Sequence, residues 1–509
     1  MVARLVRWAA LVVCLGLLGW LISRLPAQQN PGAKLRYRIA YATYLGGSTW
    51  DQAREVIPYP DGSVLVGLQA SSANMLTTEG VVQPKYAGDD PALGHGGIYS
   101  GDCYLAQLSA DGQKILAATY FGGSKQERNV YGMELDQAGN VVLTSATRSA
   151  DVPTTKGCFQ PKYGGGASDW MVAKLSPDLR QTLWCTYVGG WGDEFPRGGL
   201  GLDKDGNVIV VGTTASPNFP TTAGAFQQQL KGPRDSALVK LKADGSGLVF
   251  GTLVGGTGED DAIMGVRMDA GGSMFIAGHT RSADFPVTPG AAQPQLGGQS
   301  DWYLAKLSAD GSRLLYATYL GGSQNEFAEH RPGLTPDGCL LLTGVTSSAD
   351  FPTTPGAYQR ALKGQTDGFV TKLSADGRSF AFSTLLGGSG GDFFLMPTSD
   401  AQGSIFVVGQ TNSRDFPVTP DALQPTYGGG AQDGVLAVLS PDGSRLLYAT
   451  CLGGSGEEMI RSLALGPNGE VYLVGNTAST DFPVTPGAAQ AKFGGGTGDA
   501  FVVKLAPER

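Results

Sequence analysis

Apolar and β-branched residues occur along this chain in short runs separated by clusters of Gly, Asp, Pro and Ser. Between residues 393 and 454 the runs read FFLMPTSD, SIFVVGQT, GVLAVLS and RLLYATCLGG, with Ala401-Gln402-Gly403 and Pro441-Asp442-Gly443 as turns. Runs of roughly five to eight such residues bounded by turn formers predict strands. Helical periodicity is absent outside the N-terminal segment. The four-run pattern then restarts. Its last run ends in a Gly-Gly pair seven times: YATYLGGS, AATYFGGS, CTYVGGW, GTLVGGT, YATYLGGS, STLLGGS and YATCLGGS. The first glycines are Gly46, Gly122, Gly189, Gly255, Gly321, Gly387 and Gly453, so the steps are 76, 67, 66, 66, 66 and 66 residues. A fixed period of this length means one supersecondary unit repeated, each burying its apolar faces on its neighbours. Four short strands per unit and seven units predict an all-β, seven-bladed β-propeller. A β-solenoid, with coils of about 20–30 residues, fits the period poorly.

The chain ends give a second line of argument. Leu35–Leu45 (LRYRIAYATYL) reads as a fourth strand with no first three before it, whereas the last unit stops after its third strand at Leu505. The N-terminal strand is therefore expected to complete the last blade, closing the ring and removing its exposed edges.

The recurring YATYLGGS, the acidic residue after it, DGxVxVxGxT, DFPxTPGA, and an Asp before a VxKL-like strand together resemble the SBBP repeat, a bacterial β-propeller repeat family. The resemblance covers Leu35–Arg509, with the first unit matching least well. It implies an exported or surface bacterial propeller and supplies no catalytic motif.

Residues 1–27 have the layout of an export signal. Arg4 and Arg7 precede an apolar run from Trp8 to Ile22, which is short for a membrane span, and Ala27 is the expected cleavage point. An uncleaved N-terminal anchor is the alternative, and the only route to a membrane. Residues 28–34 read as a linker and 35–509 as the propeller. The net charge is −8, and residues 1–27 contribute three arginines without a carboxylate, so the remainder is more acidic still. An acidic surface excludes nucleic acid as the expected partner. Five cysteines follow the signal, at five different places in the repeat, and predict neither a disulfide framework nor a zinc site.

Residues that recur are candidates for scaffold. One aspartate precedes every third strand: Asp102, Asp169, Asp235, Asp301, Asp367, Asp433 and Asp499. Such a carboxylate is suited to accept backbone N–H bonds and pin the long loop before it. A second acidic position lies four residues after each Gly-Gly pair (Asp51, Glu127, Glu194, Asp260, Glu326, Asp392, Glu458) and is expected near the channel mouth. DFP-like triplets such as Asp284-Phe285-Pro286 read as loop scaffold.

Function is sought where the units differ. Seven residues after the second glycine stand Arg54, Val130, Arg197, Ile263, Glu329, Leu395 and Arg461, with His330 and Arg331 beside Glu329. Arg54, Arg197, Glu329, His330 and Arg461 are the candidate funnel site for an anionic or polar ligand; a set of solvated funnel-lining side chains is the plainer reading. The end of the second strand also varies, through Leu68, Ala146, Thr213, His279, Val345, Gln410 and Asn476, as a specificity-bearing rim would. The first unit adds a loop at Ala87–Gly101 containing His95. Catalytic motifs are absent: none of the three histidines sits beside a recognisable nucleophile, and GxSxG, Walker and HExxH patterns do not occur. Asp203–Asn207 is similar to a calcium loop but lacks its later acidic ligand, so calcium is weakly supported and no other cofactor is expected. The sequence thus points to a secreted, non-enzymatic scaffold binding protein or glycan at the cell envelope, with a lyase or hydrolase site in the funnel as the alternative.

Overall fold

The computed structural model describes residues 35–89, 100–195, 197 and 199–508, without the side chains of 262–264. The signal and linker, and most of the loop containing His95, lie outside the described residues.

The fold is all-β, with seven four-stranded antiparallel sheets arranged in a ring. Blade 6 shows the pattern: Asp392–Ser399 is innermost, followed outward by Ile405–Thr411, Asp433–Leu439 and Leu446–Leu452. Blades 1 to 5 start at Asp51, Gly132, Glu194, Asp260 and Glu326 and repeat the order. Blade 7 takes Glu458–Leu465, Val471–Thr477 and Asp499–Pro507 from the C-terminus, and Tyr37–Leu45 from the N-terminus as its outer strand. The closing register runs from Tyr37↔Pro507 to Leu45↔Ala500. The expected closure is present.

Both faces of each sheet are covered, so the cores lie between blades. One apolar cluster joins Tyr472, Val474 and Val502 of blade 7 to Val64, Val66 and Tyr104 of blade 1; another joins Val211 and Leu238 of blade 3 to Ile276 and Tyr303 of blade 4. The outer strands are protected as well. Each long loop between second and third strands bonds along the free edge of its own outer strand, as in Thr222 N–H to Gly251 C=O and Leu253 N–H to Gln227 C=O. In blades 1 to 5 and 7 its tip then bonds the outer hairpin of the next blade, as in Phe226 N–H to Gly311 C=O. Satisfied edges blunt edge-to-edge association.

These long loops and the Gly-Gly turns share one face of the ring, while tight hairpins form the other. The Phe of each DFP triplet is buried beneath its loop (Phe219, Phe285, Phe351, Phe416 and Phe482). Cys103, Cys158, Cys185, Cys339 and Cys451 are free thiols. No helix among the described residues is long and apolar enough to cross a membrane.

Candidate functional site

The Gly-Gly turns organise the loop-bearing face. In blade 3 four consecutive N–H groups each donate to a different side chain: Gly189 to Gln160 Oε1 (3.1 Å), Gly190 to Glu194 Oε2 (3.0 Å), Trp191 to Asn218 Oδ1 (2.8 Å) and Gly192 to Ser216 Oγ (2.7 Å). The Gln, Asp/Asn and Ser bonds recur in all seven units. The carboxylates four residues after the glycines are thus buried inside the blade tops, not at the channel mouth as expected. Glu127 also accepts from Thr147 Oγ1 at 2.6 Å. Burial pushes its carboxyl up to about 7, against the hydrogen bonds from Thr147, Ser149 and Gly123. The glycines are required by close approach: a Cβ on Gly189 would lie 2.5 Å from Asp169 Oδ1 and 2.7 Å from Glu194 Oε2.

The aspartates before the third strands bind their preceding loops. Asp235 accepts N–H bonds from Lys231 (2.9 Å) and Gly232 (3.3 Å), and Asp301 from Gly297 (2.7 Å) and Gly298 (3.2 Å). Asp102 takes Ala87 N–H at 2.7 Å, and Asp169, Asp433 and Asp499 take Gly164, Gly428 and Gly494 N–H, each at 2.5 Å. Asp367 takes Lys363 N–H at 2.9 Å. The seven stand in separate blades. Among the described residues no three His, Cys, Asp or Glu side chains group as a metal site.

The variable inner-strand position turns out to be a β-bulge. In blade 1 the register passes from Ala53↔Leu68 to Glu55↔Gly67, which leaves Arg54 as the extra residue; Leu395 and Arg461 occupy the same place in blades 6 and 7. In blades 3 and 5 the inner strand is interrupted, between Phe195 and Leu200 and between Phe327 and Gly333, and Arg197 and Glu329-His330-Arg331 fall in these gaps. Bulges re-aim side chains, here toward the axis.

There the candidates meet. Glu329 bridges two guanidinium groups, Arg54 Nη1 to Oε1 and Arg461 Nη1 to Oε2, both 3.3 Å. Arg54 Nη2 also contacts Glu329 C=O (3.2 Å) and His330 Nε2 (3.3 Å), and its guanidinium lies 5.2 Å from the Tyr131 ring centre. Arg461 Nε donates to Asn476 Oδ1 (3.1 Å). Arg331 continues the network to Glu55 and Glu134, each at 3.3 Å. Arg54 and His330 are 5% exposed and Arg461 7%, while Glu329, Arg197 and Arg331 are partly buried, so the set is packed and not freely solvated. Burial alone would raise the Glu329 carboxyl; Arg54, Arg461 and Arg197 overcome it and hold the group well below the usual carboxylate range. Burial, then Arg54, keeps His330 neutral by lowering its pKa far below the usual value. The space among Arg54, Glu55, Tyr131, Arg197, Glu329 and His330 is about 10 Å³, room for a single water. The five candidates form a plug, with no cavity for an organic ligand.

Larger hollows lie off the axis. One of about 340 Å³ is lined by Arg128, Asp193, Phe195, Arg197, Thr213 and Arg234, and an adjoining one of about 410 Å³ by Arg197, Arg234, Glu259, Asp261, His279 and Phe327. Thr213 and His279 come from the variable end of the second strand, and Val345 and Gln410 line a third hollow. The sequence reading missed the repeated glutamine and the serine of the Gly-Gly cradle, although both recur in phase with the glycines. It also missed Trp191, which stands 74% exposed where the other units have Ser or Thr.

Neither a protein-family model nor a curated protein matches this chain. The SBBP likeness therefore stays with the motifs that carry it. Among solved structures, the chain is similar to a Dyadobacter fermentans protein of unknown function, at 14% identity over 76% of this chain and 97% of that one, TM-score 0.39. It is also similar to the quinohemoprotein alcohol dehydrogenase of Comamonas testosteroni, at 11% identity over 94% and 78%, TM-score 0.42. A europium-containing methanol dehydrogenase gives 11% identity over 92% and 93%, TM-score 0.41. At this distance the likenesses carry no argument about activity.

Proposed function

We propose that this protein is an exported, non-enzymatic scaffold that binds a protein or glycan at the bacterial cell envelope through its loop-bearing face. The observation that carries this reading is the filled channel: Glu329 is shared by Arg54 and Arg461, and the space left beside it is about 10 Å³. A funnel lyase or hydrolase needs a cavity for substrate and a group that changes protonation near the working pH. Glu329 stays ionised and His330 neutral; Glu55, raised to about 7 by burial, faces the same space of about 10 Å³ and has no room for a substrate beside it. The off-axis hollows on the loop-bearing face support binding there instead.

Incubating the full chain with isolated envelope glycan and protein fractions tests the proposal. A saturable complex with ligand recovered intact is expected. Time-dependent cleavage, or release of unsaturated sugar products, would overturn the non-enzymatic reading.

A further inference from the structure

The two hollows over blades 3 to 5 share Arg197, Arg234 and Asp261, and so form one groove. Trp191, 74% exposed, stands two residues before Asp193, which lines the groove. Phe195 lies beneath two guanidinium groups, Arg128 at 4.7 Å and Arg197 at 5.1 Å from its centre. Phe327 is 39% exposed at the far end, beside His279 at 5.7 Å between ring centres. His279 Nε2 is buried and has no partner among the described residues, and burial holds its imidazole neutral with a pKa of about 3. Arg234 is oriented by Asp261 (Nε, 2.9 Å) and Glu259 (Nη2, 3.2 Å), and Arg281 meets Glu259 at 2.9 Å.

Resting on the scaffold reading above, we infer that this groove is the ligand site and that its ligand is a carboxylate-bearing glycan. Exposed aromatic faces suit the C–H faces of sugar rings. Guanidinium forks bind carboxylates bidentately. Asp193, Glu259 and Asp261 supply acceptors for hydroxyl donors, which sugars possess and acidic side chains lack. An acidic peptide carries the same charge without those hydroxyl donors, so it fits less well.

Isothermal titration of the full chain with hexagalacturonate, neutral cellohexaose and polyglutamate distinguishes these ligands. Saturable binding of hexagalacturonate is expected, with cellohexaose at least tenfold weaker. Trp191→Ala and Arg234→Gln, both at exposed side chains, should each weaken the uronate at least tenfold. Arg313→Gln, on the hairpins of the opposite face, should leave it unchanged. Uronate binding insensitive to both groove variants overturns the site. Equal or tighter polyglutamate binding overturns the ligand class. No uronate binding while envelope fractions still bind overturns this inference alone, whereas chain shortening of the hexamer overturns the scaffold reading beneath it.

Discussion

At the residue scale, small substitutions within the repeat are explained by their partners in the next blade. In blades 2 to 5 the third residue of the outer strand is aromatic (Trp184, Phe250, Tyr316, Phe382), and it packs on a hairpin glycine of the following blade (Gly245, Gly311, Gly377, Gly443). A Cβ on Gly377, for example, would lie 2.5 Å from Tyr316 Cγ. Blade 1 carries Ala117 in place of the aromatic, and blade 2 carries Leu179 in place of the glycine, in the same core cluster. Leu179 is the one non-glycine with positive φ among the described residues, at 59°, a strain of about 1–2 kcal/mol. The small and large residues have exchanged places across the interface. Leu179→Gly alone should cost about 2–5 kcal/mol through the cavity it leaves, and Ala117→Tyr alone about 1–3 kcal/mol through overpacking. The double variant should recover at least about 1 kcal/mol of their sum, measured by denaturant unfolding of all four proteins. Additive losses would refute the exchange. The sequence shows the alternation of DG and DL, but not that position 117 lies opposite 179, because the pairing crosses a blade boundary.

At the element scale, each Gly-Gly turn is a cradle whose four N–H groups are satisfied by side chains from widely separated places in the chain. The price is a set of buried carboxylic acids. Burial raises Glu127, Asp169 and Asp499 to about 7 and Asp260 to about 6. With folded values above unfolded ones, these carboxyls bind more protons in the native state between about pH 4.5 and 7 and so lower stability as pH rises through that window; His279 and His330, held neutral in the fold, act the other way below about pH 6.5 but are outnumbered. The melting temperature should be several degrees higher at pH 5 than at pH 8, and Glu127→Gln, which removes one of the four groups, should narrow that difference without abolishing it. A wild-type Tm that rises from pH 5 to pH 8 would contradict this assignment. The strands, the turn and the loop-pinning role proposed for the aspartates were legible because they repeat locally in type and spacing. The cradle glutamines, such as Gln160, were not, because a glutamine 29 residues before its glycine looks like ordinary loop polarity.

At the scale of the whole molecule, seven blades close without free edges and then fill their own axis. The broken symmetry at Arg54, Arg197, Glu329 and Arg461 was visible in sequence; its consequence was not. Arg54 and Glu329 are 275 residues apart and Glu329 and Arg461 132 apart, and only the ring brings the bulges of blades 1 and 7 to the strand gap of blade 5. Spacing along the chain says nothing of which opposite charges meet across an axis. The same closure fills the axis beside Glu329 and leaves the room off it, in the two hollows of the loop-bearing face and in one of about 610 Å³ along the hairpin ends of blades 2 to 4.

The claim that the plug is structural and the rim functional is tested most directly with Glu329→Gln, comparing unfolding and envelope-ligand binding in one preparation. Removing the charge shared by Arg54 and Arg461 strands buried guanidinium groups, an expected loss of about 3–5 kcal/mol. Ligand affinity, measured below the unfolding transition, should stay within twofold of wild type. Unchanged stability together with abolished binding or turnover would place function in the funnel and contradict the account.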